Sequence, residues 1–314
     1  MKDLLRTEHL SRADIDLILD TATQFAENPH RSKTALANKT VAIYMTKPST
    51  RTRLASETAV AHLGGAPIFL RGEDLQLGRG ETISDTAKII SGFCSAMIIR
   101  TFAQADVDEL GAHSTIPIIN ALTDDDHPTQ LLADWLTIRE NFGTDISGRK
   151  LVYLGDGNNM ANSWLIMGAI MGAHVVTATP SGKWAPSARA IEVATNIAKH
   201  SGGKVEVIND PEAAAKDASV LYTDVWMSMG DPESERNEKI EVLAPFAVTE
   251  SLMSLTAKDS IFMHCLPAHR GEEVAANVID GTKSVIWREA FHRRTTIQSL
   301  LFHLINGEIV GFKH

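Results

Sequence analysis

Short apolar runs and amphipathic stretches alternate along nearly the whole chain. SRADIDLILDTATQFA (11–26) carries apolar residues at helical spacing, and VAIYM (41–45) is an unbroken apolar run of strand length. KPSTRTR (47–53) then turns through a proline and opens a helix from Thr50 to His62, which Gly64-Gly65 stops. APIFL (66–70), AMIIR (96–100) and IPIIN (116–120) read as further strands, with SDTAKIISGF (84–93) as a helix among them. HPTQLLADWLTIREN (127–141) is a long helix with apolar positions on more than one side, and the polar stretch FGTDISGRK (142–150) follows it.

KLVYLGDG (150–157) opens a second, similar series: AHVVTATP, KVEVIND, ASVLYTD, SIFMHCLP and SVIWREA, separated by helical patterns. Strands alternating with helices imply parallel sheets covered by helices. The fold class expected is α/β, two doubly wound parallel-sheet domains joined by interdomain helices. The domains expected are 1–145, with a last helix from Arg294 returning to it over 294–314, and 146–293. A length of 314 residues agrees with two domains of about 150 each.

Composition narrows the function. With 44% hydrophobic and 22% charged residues the chain is of ordinary globular type. Thirty Lys+Arg against 39 Asp+Glu give a formal charge of −9, the wrong sign for a general nucleic-acid binder, so basic clusters read as local anion sites. The opening MKDLLRTEHL has no signal-peptide h-region, and no apolar run has the length of a membrane span. Cys94 and Cys265 stand far apart, without CxxC or metal-type spacing, which points to a reducing cytoplasm and to no metal site; no cofactor is expected.

The sharpest local chemistry is in KPSTRTR. Ser49 and Thr50 stand where a helix begins, and a helix N-terminus offers unpaired N–H groups and partial positive charge. Hydroxyls there can serve an anion, and Arg51 adds a planar fork of donors. Arg51 and Arg53 lie two apart and cannot share a helix face, so one holds the anion and the other pairs with Glu57. A Ser-Thr at a helix start is more often a plain cap; two flanking arginines and the abrupt turn shift the reading towards an anion site.

STRTR also resembles the carbamoyl-phosphate signature of the aspartate and ornithine carbamoyltransferase family. LQLGRGETISDTAK (75–88), RTF (100–102), HPTQLLAD (127–134), LGDGNNM (154–160), DVWMSMG (224–230) and HCLPAHRG (264–271) resemble the family in order and spacing, across nearly the whole chain. The resemblance implies that Ser49, Thr50, Arg51 and Thr52 hold the phosphate of carbamoyl phosphate. Arg100, His127 and Gln130 would reach its carbamoyl end, and Arg293 would match the arginine that closes the family's Glu-Asn-Arg run. Gln76 would reach a neighbouring subunit's phosphate in a homotrimer or a multiple of trimers. The loop from Asp224 to Gly230 resembles the ornithine branch: Asp224 and Ser228 would hold the α-amino group, Asn159 and the Met229 backbone the carboxylate. Cys265, beside an expected cis Leu266-Pro267 bond, would lie next to the side-chain amine, with Cys265 and Leu266 also at the carbamoyl group. Arg100, His127, Cys265 and Arg293 form the expected catalytic set, and the expected reaction makes L-citrulline and phosphate from L-ornithine and carbamoyl phosphate.

The chemistry fits those residue types. Attack requires a neutral amine, whereas an alkyl ammonium has a pKa of about 10.4, and nearby cations disfavour the charged form. Fixed donors then stabilise charge growing on the carbonyl oxygen and the departing phosphate. Each residue has a blander reading: His127 as a helix-start residue, Gln130 as surface, Asp224 as a loop cap, Cys265 and Cys94 as small buried apolar residues. A nucleophilic His264-Cys265 pair is rejected, because adjacent strand residues face opposite ways. LGDGNNM follows a strand and opens a helix like a dinucleotide loop, yet it lacks the third glycine. Phe291-His292 replaces the family's Glu-Asn, and Thr129 stands where many members have Cys. These departures keep open another acceptor amine, such as putrescine or a modified ornithine; a non-catalytic trimeric relative is the alternative of a different class, and the intact Arg51, Arg100, His127 and Cys265 set argues against it.

Overall fold

The computed structural model describes residues 2–75, 80–228 and 232–306. It divides into two compact units, residues 1–136 with 291–314, and residues 137–290. Both are α/β units built on a wholly parallel sheet.

The first unit runs α1 (Arg12–Glu27), β1 (Thr40–Met45), α2 (Thr50–His62), β2 (Ala66–Arg71), α3 (Ile83–Phe93), β3 (Ala96–Arg100), α4 (Gln104–His113), β4 (Ile118–Leu122) and the start of α5 (Pro128–Phe142). Its sheet has the order β2-β1-β3-β4. Val41 to Met45 and all of β3 are buried, which is why those strands are continuous apolar runs rather than alternating ones. The edge strand β2 is half-exposed along its length.

The second unit runs β5 (Lys150–Leu154), α6 (Asn159–Ile170), β6 (His174–Ala178), α7 (Ala188–Ser201), β7 (Lys204–Ile208), α8 (Pro211–Ala215), β8 (Val220–Thr223), α9 (Arg236–Leu243), α10 (Glu250–Ser254), β9 (Ile261–His264), α11 (Ala276–Ile279) and the start of α12 (Ile286–Asn306). The sheet order is β7-β6-β5-β8-β9, and Val152, Leu154, Val176, Leu221 and Phe262 centre one core. The chain passes between the units inside two helices, α5 and α12.

In an open parallel sheet the strand order reverses at a switch point, where loops leaving the carboxyl ends of neighbouring strands part and leave a crevice. The reversals fall between β1 and β3 and between β5 and β8. KPSTRTR follows β1 and Thr101-Phe102 follows β3; GDGNN follows β5 and Asp224 follows β8. STRTR and RTF thus stand at one switch point and LGDGNNM and DVWMSMG at the other, while HPTQLLAD follows β4 and HCLPAHRG begins at the end of β9.

Three local readings need correction. SVIWREA is not a strand: Ser284 makes one bridge to Phe262, and the chain enters α12 at Ile286. Val285 precedes the helix and Ile286 is its first residue, with Ile286 buried and Trp287 70% exposed. The last helix therefore starts eight residues before Arg294. β4 lies two residues later than IPIIN, because Pro117 has no N–H to give a ladder.

Candidate active site

In the first unit Ser49 is the N-cap of α2, and its side-chain oxygen accepts from the Thr52 N–H. That cap turns Thr52 inward, where it is fully buried. The Thr52 hydroxyl oxygen accepts from an Arg100 guanidinium N–H at 3.4 Å and from Arg293 at 3.3 Å. Arg293 also donates to Gln130 Oε1 at 2.5 Å, and Gln130 donates to Asp134 at 2.8 Å. Two buried guanidiniums therefore converge on one hydroxyl at a helix N-terminus, where the field already favours an anion. Arg53 turns away to pair with Glu57 at 3.1 Å, and its guanidinium lies over the Phe69 ring.

His127 is 4% exposed, and its Nδ1 lies 3.4 Å from the Thr129 hydroxyl. Burial first, then the charges of Arg293, Arg100 and Arg51, hold this imidazole well below the usual histidine range. It is thus neutral at physiological pH and able to donate a hydrogen bond without carrying charge.

A residue passed over in the sequence joins this group. Lys47 is buried, pairs with Asp124 and lies 4.3 Å from the Phe102 ring centre. It ties together the loops after β1, β3 and β4. Its position directly before Pro48-Ser49 was the available signal.

In the second unit Asp224 is nearly buried and has both oxygens engaged. Oδ1 accepts from the Val225 N–H at 2.8 Å and from Cys265 Sγ at 2.9 Å, and Oδ2 accepts from Asn158 Nδ2 at 3.0 Å. Asn159, the first residue of α6, has a buried Nδ2 without a hydrogen-bond partner among the described residues. Ser228 is half-buried on the loop after β8. Gln76 and Met229 lie outside the described residues.

The Leu266-Pro267 bond is cis, and Leu266 has φ of 60°. The loop is secured by His264, whose Nδ1 accepts from the Leu266 N–H at 2.8 Å and whose backbone N–H donates to buried Glu289 at 3.0 Å. Its Nε2 lies 3.4 Å from Glu273 Oε1. The His264 ring is committed to the loop while Cys265 faces Asp224, so the two do not form a nucleophile–base pair. Asp224, His264 and Cys265 each bring a potential metal-ligand atom within 4.8 Å of the others, but the Nδ1 lone pair of His264 already serves Leu266. A second trio, His269, Glu272 and Glu273, has its Glu272 paired with Arg236 at 2.5 Å.

The dinucleotide reading fails on geometry. The Asn158 side chain caps α6, taking the N–H groups of Met160 and Ala161 that a pyrophosphate would need.

Comparison with known proteins agrees with both halves. The family model for the carbamoyl-P binding domain of aspartate/ornithine carbamoyltransferase matches residues 2–140, and the model for the Asp/Orn binding domain matches residues 147–304. The chain is 46% identical to the ornithine carbamoyltransferase of Pyrococcus horikoshii over 316 aligned positions, covering 99% of this chain and 98% of that one. The solved ornithine carbamoyltransferase of Pyrococcus furiosus superposes with a TM-score of 0.92 at 45% identity, covering 98% of each chain. The anabolic enzyme of Campylobacter jejuni superposes with a TM-score of 0.91 at 37% identity, covering 98% of this chain and 100% of that one. With two buried polar clusters at the switch points of its sheets and such likeness over nearly its full length, the chain belongs to the aspartate/ornithine carbamoyltransferase family.

Proposed function

We infer that the protein transfers the carbamoyl group of carbamoyl phosphate to the side-chain amine of L-ornithine, giving L-citrulline and phosphate. The observation that carries this reading is the convergence of Arg100 and Arg293 on the buried Thr52 hydroxyl at the start of α2. A phosphate dianion is the ligand that such a concentration of positive potential serves best.

The first unit, which includes α12 from Phe291 onward, holds carbamoyl phosphate: Ser49, Thr50, Arg51 and Thr52 take the phosphate, Arg100, His127 and Gln130 reach from beside it to the carbamoyl end, and Arg293 contacts carbamoyl phosphate next to Thr52. The second unit holds ornithine, with Asp224 and Ser228 on the α-amino group and Asn159 and the Met229 backbone on the carboxylate. Cys265 lies beside the reacting amine, and Cys265 and Leu266 also meet the carbamoyl group; the Leu266 N–H is already given to His264. The amine attacks the carbamoyl carbon in its neutral form, and a C–N bond forms as the C–O bond to phosphate breaks. The departing phosphate takes the amine proton. Neutral His127 and the two arginines donate to the oxygen on which charge grows, so no covalent enzyme intermediate is needed.

We also place the protein in the cytoplasm and propose a trimer. Among the described residues no helix is long and apolar enough to cross a membrane. Support for assembly comes from the β2 edge, where Ile68 is 44% exposed, and from α2 beside it, where Leu54 is 58% exposed. A groove of about 600 Å³ there is lined by Ser49, Thr50, Arg53, Phe69 and Arg71, within reach of the phosphate pocket. Light scattering is expected to give three times the chain mass of 34.2 kDa.

The test of function is a ureido-product assay with carbamoyl phosphate and ornithine, putrescine, acetylornithine, lysine or aspartate. Turnover with ornithine is expected. Turnover only with another amine would overturn the acceptor half, and none with any amine would overturn the transferase reading.

A further inference from the structure

Asn158 belongs to neither expected set of substrate contacts, yet it stands between the start of α6 and Asp224. Its Oδ1 accepts from the Met160 N–H at 2.8 Å, the Ala161 N–H at 3.3 Å and the Tyr153 phenol at 3.2 Å. Three donors on that oxygen fix the amide orientation, so the NH2 end must be the one that meets Asp224 Oδ2, at 3.0 Å. The other Asp224 oxygen is held by the Val225 N–H and by Cys265. The carboxylate that the acceptor reading assigns to the α-amino group is therefore gripped from both sides.

The keying donor is itself rigid. Tyr153 is fully buried on β5, stacked against Tyr222 of β8 with ring centres 6.0 Å apart, and Tyr222 lies 4.8 Å from Trp164 of α6. Burial, then the charges of Asp224, Asp156 and Cys265, hold the phenol well above its ordinary range, so it stays neutral and keeps its proton for Asn158.

We propose that Asn158 is a positioning residue of the acceptor site: through its NH2 arm it sets the orientation in which Asp224 receives the acceptor's α-ammonium, while its oxygen end is locked by α6 and Tyr153. This rests on the assignment of Asp224 to the α-amino group. A helix cap needs only an oxygen, and Ser, Thr or Asp would supply one as well. What asparagine adds is a donor on the opposite end of the same group, and Asp224 is what that donor meets.

The test separates the two ends. Asn158→Ser keeps a capping oxygen and removes the NH2 arm. The expected result is a KM for ornithine raised by about 10- to 100-fold, the range for loss of a hydrogen bond to a charged group, with melting temperature and KM for carbamoyl phosphate unchanged. Asn158→Asp keeps the cap but sets a second carboxylate against Asp224. Its ornithine KM is expected to rise further and to recover towards acidic pH, as protonation turns that carboxylate into a donor. An unchanged ornithine KM in Asn158→Ser would overturn the proposal. So would a parallel loss of stability and of affinity for both substrates, which a plain cap would produce. Asp224→Asn, measured alongside, tells the two readings apart. If it raises the ornithine KM while Asn158→Ser does not, only the positioning role falls; if it leaves that KM unchanged, the acceptor assignment falls and this proposal with it.

Discussion

Thr52 is one hydroxyl on which two arginines depend. Replacing it with valine keeps the shape and removes the acceptor, leaving Arg100 and Arg293 to lose a shared partner in a buried place. Hydrogen bonds involving a charged group are worth about 1.5–3 kcal/mol, so Thr52→Val is expected to lower kcat/KM for carbamoyl phosphate by about 10- to 100-fold with little change in the circular dichroism spectrum. His127 carries a pH signature. Its imidazole is held below the usual value of 6.5 when folded, so the unfolded chain binds the proton first as pH falls. Stability contributed by neutral His127 is then complete above about 6.5 and is lost as pH drops from there towards the folded pKa. Urea midpoints measured between pH 7.5 and 5 should fall less in His127→Gln than in the parent. Steeper acid loss in the variant would contradict this. Ser49 and Thr50 at a helix start were legible because capping is a local habit. Lys47 and Asn158 were not, since an asparagine before a helix looks the same whether its free end faces water or Asp224.

Glycine at 157 shows how an element is held at its entrance. A Cβ there would lie 2.2 Å from the carbonyl carbon of Ala185 and 2.4 Å from the nitrogen of Pro186, both backbone atoms that cannot step aside. Gly157→Ala is expected to cost about 3 kcal/mol of unfolding free energy, read from denaturant midpoints, and to weaken ornithine binding by displacing the start of α6. A cost below 1 kcal/mol would mean that the segment from Ser181 yields freely. Most elements could be read directly from the chain, because buried parallel strands are continuous apolar runs and the helices between them are punctuated by caps and glycines. SVIWREA misled because Val, Ile and Trp favour strands, while in the fold Ile286 packs inward and Trp287 faces out on successive positions of a helix. Short apolar runs carry no information about which partner they will find.

At the scale of the whole molecule, α12 returns the chain to the first unit. Ser299 donates to the Ile18 carbonyl and Gln298 to the Pro29 carbonyl, both at 2.7 Å, while His303 lies 2.8 Å from the Thr21 hydroxyl. The same helix delivers Arg293 to Thr52, 241 residues away in sequence. A chain ending at residue 290 is expected to lose cooperative folding of the first unit, with α1 exposed to protease, rather than to lose Arg293 alone. A protected α1 in that truncated chain would show the helix to be dispensable for packing. The sequence by itself determined the class of fold and the two halves, because hydrophobic period, turn residues and caps act over a few neighbouring positions. It also determined the residue types of the motifs, which are chemistry written in single letters. Only the tertiary structure decided that Arg100 and Arg293 share one hydroxyl, that both oxygens of Asp224 are taken, and that Asn158 faces it. Those contacts arise where strand order reverses and where a distant helix docks, and local periodicity carries no information about either.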